Sequence, residues 1–121
     1  MKQPWVMTCS DGSEGHPRKY GTFPRKIHEY VYEKHVLPLE AAVRSSTSLP
    51  AETLQLKDRG LLKQGYYADV LVFDPKTFMD RATYENPTVP ATGVQYLLVN
   101  GRLAVDKGEL TSTMAGRALK H

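Results

Sequence analysis

Three residues in the first part of the chain have side chains that could carry out hydrolytic chemistry: Asp11, His16 and Arg18. Asp11 lies in a Ser-Asp-Gly turn after a short apolar run, and a carboxylate in such a place can accept a proton. Arg18 follows His16 in a loop, where its guanidinium could bind a carboxylate through two parallel hydrogen bonds. Each residue also has an ordinary explanation, because aspartates often accept hydrogen bonds from turn amides and arginines are often solvated. On residue type alone, both explanations stay open.

The other reactive side chains form no metal or nucleophile motif. The four histidines lack the His-x-His and His-Glu-x-x-His spacings that place ligands around zinc. The single cysteine, Cys9, lies in the apolar run over residues 5–9, so we expect a small buried side chain rather than a nucleophile. The sequence therefore predicts no metal site made from this chain alone.

Hydrophobic patterning predicts the elements that position these residues. Residues 5–9 are predicted as a buried strand that ends at the Ser-Asp-Gly turn. Residues 12–21 contain three glycines and a proline and are predicted as a loop. A helix is predicted to begin at Phe23, with a proline in its first turn, and further short helices start near Pro38 and Pro50. The middle of the chain is thus predicted to be helical.

The second half of the chain has the pattern of strands. Residues 68–73 and 94–99 are apolar runs rich in β-branched and aromatic side chains. Asn100 and Gly101 join the second run to residues 102–105. Asn-Gly is the strongest short-range hairpin signal, because both central residues of the turn need positive φ. We therefore predict a tight hairpin at this point.

Composition limits the classes of function. The chain has 121 residues, of which 40% are hydrophobic and 24% charged, as in ordinary folded domains, but it has about half the length of a (β/α)8 barrel. The net charge of +3 is scattered along the chain, which argues against nucleic-acid binding. No apolar run approaches the roughly 20 residues of a membrane-spanning helix. One cysteine and no signal-peptide pattern predict a cytoplasmic protein.

Several motifs together resemble one family. In chain order they are Cys9-Ser10-Asp11-Gly12, His16-Pro17-Arg18, Gly21-Thr22-Phe23-Pro24-Arg25, Gly65-Tyr66-Tyr67-Ala68-Asp69, Val99-Asn100-Gly101 and Ala115-Gly116-Arg117. The sequence resembles the carboxy-terminal portion of the N-acyl-D-amino-acid deacylases, or D-aminoacylases, of the amidohydrolase superfamily. The resemblance implies an α+β chain. Residues 1–56 would hold the last strand of a (β/α)8 barrel, the active-site loop and helices, and residues 57–121 would hold strands of the small β-sandwich, the hairpin and a tail.

The same resemblance implies roles for the three residues. Asp11 matches the family's general base, which acts on a zinc-bound water and passes the proton to the leaving nitrogen. Arg18 matches the arginine that holds the carboxylate of the N-acyl-D-amino acid, and His16 is placed beside it as a second substrate-binding residue. The zinc ligands of the family have no counterpart in this sequence, so no zinc is expected to bind this chain alone. The loop between Asp11 and Arg18 is shorter than in typical members.

Two interpretations follow. In the first, the chain is the carboxy-terminal piece of a metal-dependent hydrolase of amide C–N bonds. It would be inactive alone, and a missing amino-terminal barrel portion would supply the metal and complete the site for the N-acyl-D-amino acid. In the second, it is an independent α+β interaction or structural module derived from an amidohydrolase, and exposed barrel edges favour a homo-oligomer. A stand-alone enzyme built on Asp11, His16 and Arg18 is the weakest hypothesis, because no nucleophile with an oriented base is visible.

Overall fold

The computed structural model describes residues 1–119, which form helices followed by a four-stranded antiparallel sheet. The elements are α1 (Arg18–Arg25), a π-helix (Lys26–Glu33), α2 (Leu39–Arg44), α3 (Ser48–Thr53), β1 (Val70–Phe73), β2 (Val94–Val99), β3 (Arg102–Asp106) and β4 (Glu109–Leu110). The predicted α+β class is confirmed. The last two residues of the predicted tail, 120 and 121, lie outside the described residues.

The amino-terminal segment, residues 1–10, forms no strand and contains a turn at residues 4–5. The prediction of a buried strand over residues 5–9 is wrong for this chain, since Trp5 is 69% exposed and Met7 and Cys9 are exposed as well. A strand is stable only when a neighbouring strand pairs with its backbone, and within residues 1–119 none pairs with this segment. The predicted burial of Cys9 is wrong for the same reason.

The first helix begins at Arg18, earlier than the predicted start at Phe23. The loop predicted over residues 12–21 is correspondingly shorter. Gly21, which favoured a loop in the sequence, is buried inside the helix. A Cβ built on Gly21 would lie 3.0 Å from the Cβ of Asp80, so this glycine permits close packing rather than a turn.

The two later helices form near the predicted positions. Pro38 has extended backbone angles and directly precedes α2, and α3 begins at Ser48 with Pro50 in its first turn, where a missing amide donor costs little. Ala42 of α2 is completely buried. Within residues 1–119, no helix combines the length and the apolar character needed to cross a bilayer.

The sheet has the strand order β1-β2-β3-β4, with every neighbouring pair antiparallel. Asn100 and Gly101 join β2 to β3 with φ values of 50° and 77°, which confirms the predicted hairpin. Lys107 and Gly108 join β3 to β4 with φ values of 49° and 87°. The sequence analysis missed this second hairpin because lysine is not a usual residue for the left-handed region.

One hydrophobic core joins the helices to the sheet. Its buried members are Ile27, Val31, Leu37, Ala42 and Phe78. The first four belong to the helical part, whereas Phe78 follows β1 and packs against the last residue of that strand, with the two ring centroids 4.5 Å apart. The helices and the sheet therefore hold one another in place, which fixes the position of the candidate site on the helical side.

Candidate active site

Asp11 directly follows the amino-terminal segment and has a backbone φ in the left-handed region. Its φ is 47°, and its backbone N–H donates to the Sγ of Cys9 over 3.4 Å. A Cβ on the next residue, Gly12, would lie 2.5 Å from the Cα of Lys19, so only glycine lets the turn approach the helix this closely. The Asp11 carboxylate is therefore held beside the first turn of α1, with its side chain 83% exposed.

Arg18 opens α1, and its side chain pairs with the Asp11 carboxylate. The Nη1 of Arg18 donates to the Oδ2 of Asp11 over 3.0 Å. A cation in the first turn of a helix is opposed by the helix dipole, and the carboxylate compensates for it. The structure thus brings together the carboxylate predicted to be catalytic and the guanidinium predicted to bind substrate.

His16 lies between this pair and a tyrosine that comes 68 positions later in the chain. The Nδ1 of His16 accepts the backbone N–H of Arg18 over 3.1 Å, so this nitrogen carries no proton. The other nitrogen, Nε2, lies 3.2 Å from the hydroxyl of Tyr84 and can donate to it. The two rings also make an edge contact, with centroids 5.2 Å apart. His16 is therefore fixed in one tautomer by contacts on both sides.

A cleft of about 540 Å3 opens beside His16 and Arg18. Cationic side chains line it together with aromatic and apolar ones: Arg18, Arg25, Lys26, Tyr30, Tyr84 and Met7. Asp80 is the only carboxylate among the lining residues described, and it pairs with Arg25 over 2.7 Å and raises the pKa of that guanidinium. The three cationic side chains of Arg18, Arg25 and Lys26 outnumber the carboxylates of Asp11 and Asp80, so the site keeps a net positive charge, which suits an anionic ligand.

Lys26, like Asp80 and Tyr84, is a residue of this cleft that sequence reasoning missed. It is 5% exposed, and its ammonium donates to the hydroxyls of Thr8, Ser45 and Ser46 and to the carbonyl of Ala42. No carboxylate of the described residues lies within ion-pair distance of it. Because burial removes water from the charged form, the pKa of Lys26 falls from 10.5 to about 8. The hydrophobic periodicity of the sequence did not predict that this lysine is buried. It directly follows Arg25, and two adjacent basic residues are usually solvated.

The residues described do not fit a metal ion by themselves. Zinc in proteins is held by three or four converging nitrogen, sulfur or carboxylate ligands. In the part of the chain that the structure describes, no three side chains of histidine, cysteine, aspartate or glutamate converge in this way. Any metal at this cleft would need ligands from outside residues 1–119.

The fold and the cleft can now be compared with known proteins. The sequence profile described as "Amidohydrolase family" matches residues 2–105, so the chain belongs to the amidohydrolase family. Within it, the chain is similar to D-aminoacylases: a solved crystal structure of D-aminoacylase superposes with a TM-score of 0.88 at 42% identity, covering 95% of this chain and 25% of that one. The predicted resemblance is confirmed.

Two further relatives show the same similarity. An N-acyl-D-glutamate deacylase from Alcaligenes xylosoxydans xylosoxydans is 47% identical over 100 residues, which are 77% of this chain and 20% of the relative. The solved N-acyl-D-glutamate deacylase of Bordetella bronchiseptica, complexed with zinc and a phosphonate that mimics the tetrahedral intermediate, is 38% identical. It superposes with a TM-score of 0.80 over 94% of this chain and 26% of its own. The chain thus spans about a quarter or less of the length of these relatives.

Proposed function

We propose that this chain contributes the proton-accepting and carboxylate-binding side of a metal-dependent hydrolase that cleaves the amide C–N bond of N-acyl-D-amino acids. The observation that carries the proposal is the placement of Asp11 and Arg18, whose charged atoms lie 3.0 Å apart beside a positively charged cleft. The similarity to N-acyl-D-glutamate deacylase and D-aminoacylase supports this substrate class.

In this proposal, Arg18 binds the substrate and Asp11 transfers the proton. The planar guanidinium of Arg18 binds the α-carboxylate of the substrate, and His16, held by Tyr84, forms the adjoining wall. Asp11 accepts a proton from the water that attacks the acyl carbon. It returns that proton to the nitrogen as the C–N bond breaks, so that a free amine and a carboxylic acid leave. The substrate carboxylate competes with Asp11 for the same guanidinium, which leaves Asp11 unpaired when substrate is bound.

The chain performs this chemistry only as part of a larger site. We assign residues 1–56 to the end of a (β/α)8 barrel with its active-site loop, and residues 57–121 to a β-sandwich. Support comes from the share of the relatives that is covered, 20% and 25%, and from the lack of three converging metal ligands within residues 1–119. Zinc, present in the Bordetella relative, would be held by side chains of the remaining barrel.

A chimera tests this proposal. This chain replaces the matching quarter of a D-aminoacylase, and hydrolysis of an N-acetyl-D-amino acid is measured beside that of the purified chain alone. We expect hydrolysis by the chimera and none by the chain. Asp11→Asn should lower kcat at least about 100-fold, while Asp106→Asn, an exposed aspartate of β3, should not.

The role of Arg18 in substrate binding is tested by making one substitution at Arg18 and a control substitution at Arg102 in the same chimera. Arg18→Lys should raise KM about tenfold or more, because an ammonium cannot form two parallel hydrogen bonds with a carboxylate. Arg102→Lys, at an exposed position of β3, is the control. A chimera that binds zinc and melts like the parent enzyme, but hydrolyses nothing, would contradict the proposal.

A second candidate function is an independent interaction module that self-associates. The observation that favours it is a set of strongly exposed apolar side chains, in particular Trp5 at 69%, Leu62 at 82% and Met114 at 94%. Light scattering after size exclusion distinguishes the two functions. A stable dimer of the chain, together with an inactive chimera, would favour the module.

A further inference from the structure

We propose that Lys26 is a positioning residue that fixes the segment carrying Asp11 against the helices. The inference rests on the proposed function, in which Asp11 is the proton acceptor. Lys26 is not part of the sequence motifs, and the proposed chemistry assigns it no role.

The amino-terminal segment is attached to the helices of the described chain by individual hydrogen bonds. Residues 5–9 pair with no strand, and most of their side chains are exposed. The backbone N–H of Thr8 donates to the carbonyl of Ser45 over 2.8 Å, and the hydroxyl of Thr22 donates to the carbonyl of Ser10 over 3.2 Å. Two further attachments are the bond from the Lys26 ammonium to the hydroxyl of Thr8 and the bond from the Nη1 of Arg44 to the carbonyl of Pro4 over 3.1 Å. Together with the pairing of Arg18 and Asp11, these contacts position the backbone at Asp11.

Lys26 is suited to this role by its other contacts. Its ammonium also bonds the carbonyl of Ala42 and the hydroxyls of Ser45 and Ser46, all at the carboxyl end of α2. A cation at this end of a helix satisfies free carbonyls and is favoured by the helix dipole. Lys26 thus links the π-helix, the end of α2 and the segment before Asp11 through one buried charge. Charge-assisted bonds of this kind are stronger than those between neutral groups.

A direct chemical role for Lys26 fits the structure less well. The Ser45 hydroxyl beside it could suggest a serine nucleophile with a lysine base. Ser45 is 9% exposed, donates to the carbonyl of Ala41 over 2.7 Å, and is not among the residues that line the cleft. A substrate in the cleft would meet Lys26 but not Ser45. The geometry therefore favours positioning over covalent catalysis.

Amide hydrogen exchange in the 121-residue chain tests the attachment itself. In Lys26→Met, we expect the Thr8 amide to exchange at least about tenfold faster than in the wild type, because its segment opens more often. The Leu98 amide in β2 should change less than about twofold. Lys26→Arg should restore part of the protection. Lys34→Met, which removes an exposed lysine just after the same π-helix, should leave Thr8 unchanged.

Thr8→Val keeps the test informative if Lys26→Met does not fold. It removes only the hydroxyl that accepts from Lys26, at nearly constant side-chain volume, and should loosen the same segment. Unchanged Thr8 protection in Lys26→Met, or in Thr8→Val where Lys26→Met is unfolded, would overturn the inference.

The effect of Lys26 on catalysis is measured as kcat and KM in the chimera. A displaced proton acceptor lowers kcat, whereas substrate binding through Arg18 is retained. Lys26→Met and Thr8→Val should therefore lower kcat about tenfold and change KM less than about twofold. A raised KM with normal kcat would overturn the positioning role. If even the wild-type chimera is inactive, the proposed function fails, and the exchange measurement alone decides whether Lys26 holds the segment.

Discussion

The buried charge of Lys26 should make this protein more stable as the pH rises, whereas a solvated surface lysine adds no pH dependence. The pKa of Lys26 is lowered to about 8 in the folded chain from 10.5, because burial disfavours the charged form. Below about pH 8 both the folded and the unfolded chain carry the proton, and the full cost of burying the charge is present. Between these two pKa values the unfolded chain binds more protons, so the free energy of unfolding increases with pH.

The size of the effect follows from the same two pKa values. Each tenfold change in proton affinity corresponds to about 1.4 kcal/mol, so the free energy of unfolding should rise by about 2.5 kcal/mol between roughly pH 7 and pH 10. This figure is an upper limit, because the oxygen atoms of Thr8, Ala42, Ser45 and Ser46 accept hydrogen bonds from the ammonium and favour its charged form.

Urea unfolding followed by circular dichroism, with reductant to protect the exposed Cys9, measures this effect. Tyrosines and other lysines also titrate in this range, so the quantity to compare is the free energy of unfolding of the wild type minus that of Lys26→Met. We expect this difference to rise with pH. A difference that stays constant from about pH 7 to pH 10 would refute the reasoning, because Lys26 would then titrate like a solvated lysine.

Two further predictions concern the packing of the sheet against the helices, and both are measured by urea unfolding at neutral pH. Gly93→Ala should destabilise the chain by more than about 2 kcal/mol, since Gly93 has a φ of 79° and a Cβ there would lie 2.4 Å from the backbone N of Phe78. Gly116→Ala, where a Cβ meets no atom within 4 Å, is its control, and equal effects of the two changes would contradict this account. Phe78→Ala should cost about 3–5 kcal/mol because Phe78 is 4% exposed in the shared core, whereas Leu62→Ala, at an 82% exposed position, should cost less than about 0.5 kcal/mol. A cost for Phe78→Ala below about 1 kcal/mol would mean that helices and sheet do not share one core.

Local sequence signals predicted the parts of the fold that local interactions decide. Asn100 and Gly101 specified a hairpin because two consecutive residues with positive φ leave the chain few alternatives. The apolar run over residues 5–9 did not become a strand, because a strand depends on partners that the described residues do not supply. Gly21 was misread because the cause of its position is a distant residue: the helix passes so close to Asp80 that a Cβ on Gly21 would lie 3.0 Å from the Asp80 Cβ.

In the candidate site, too, some residues could be recognised from local sequence and others only from the tertiary structure. Asp11, His16 and Arg18 lie within one short stretch, so their residue types and spacing could be recognised in the sequence. Tyr84 contacts His16 from 68 positions away, and only the folded chain brings the two together. In the sequence, Lys26 resembles an ordinary surface cation. Its burial depends on tertiary contacts with Thr8 and with the carboxyl end of α2. Residues that hold a site in place are therefore harder to predict than the residues that react, because their role exists only in the tertiary structure.

In the proposed site, the ion pair between Asp11 and Arg18 must open before Arg18 can bind a substrate carboxylate. Both side chains are largely exposed, at 83% and 56%, and pairs of this kind contribute about 0–1 kcal/mol. A substrate carboxylate that binds the Arg18 guanidinium through two parallel hydrogen bonds in a positively charged cleft can therefore displace Asp11 at little cost. Binding of the substrate and release of the proton acceptor then become one event, because both carboxylates use the same guanidinium. An acyl compound without a carboxylate would leave Asp11 paired, so carboxylate recognition would lower the barrier to the reaction as well as strengthen binding.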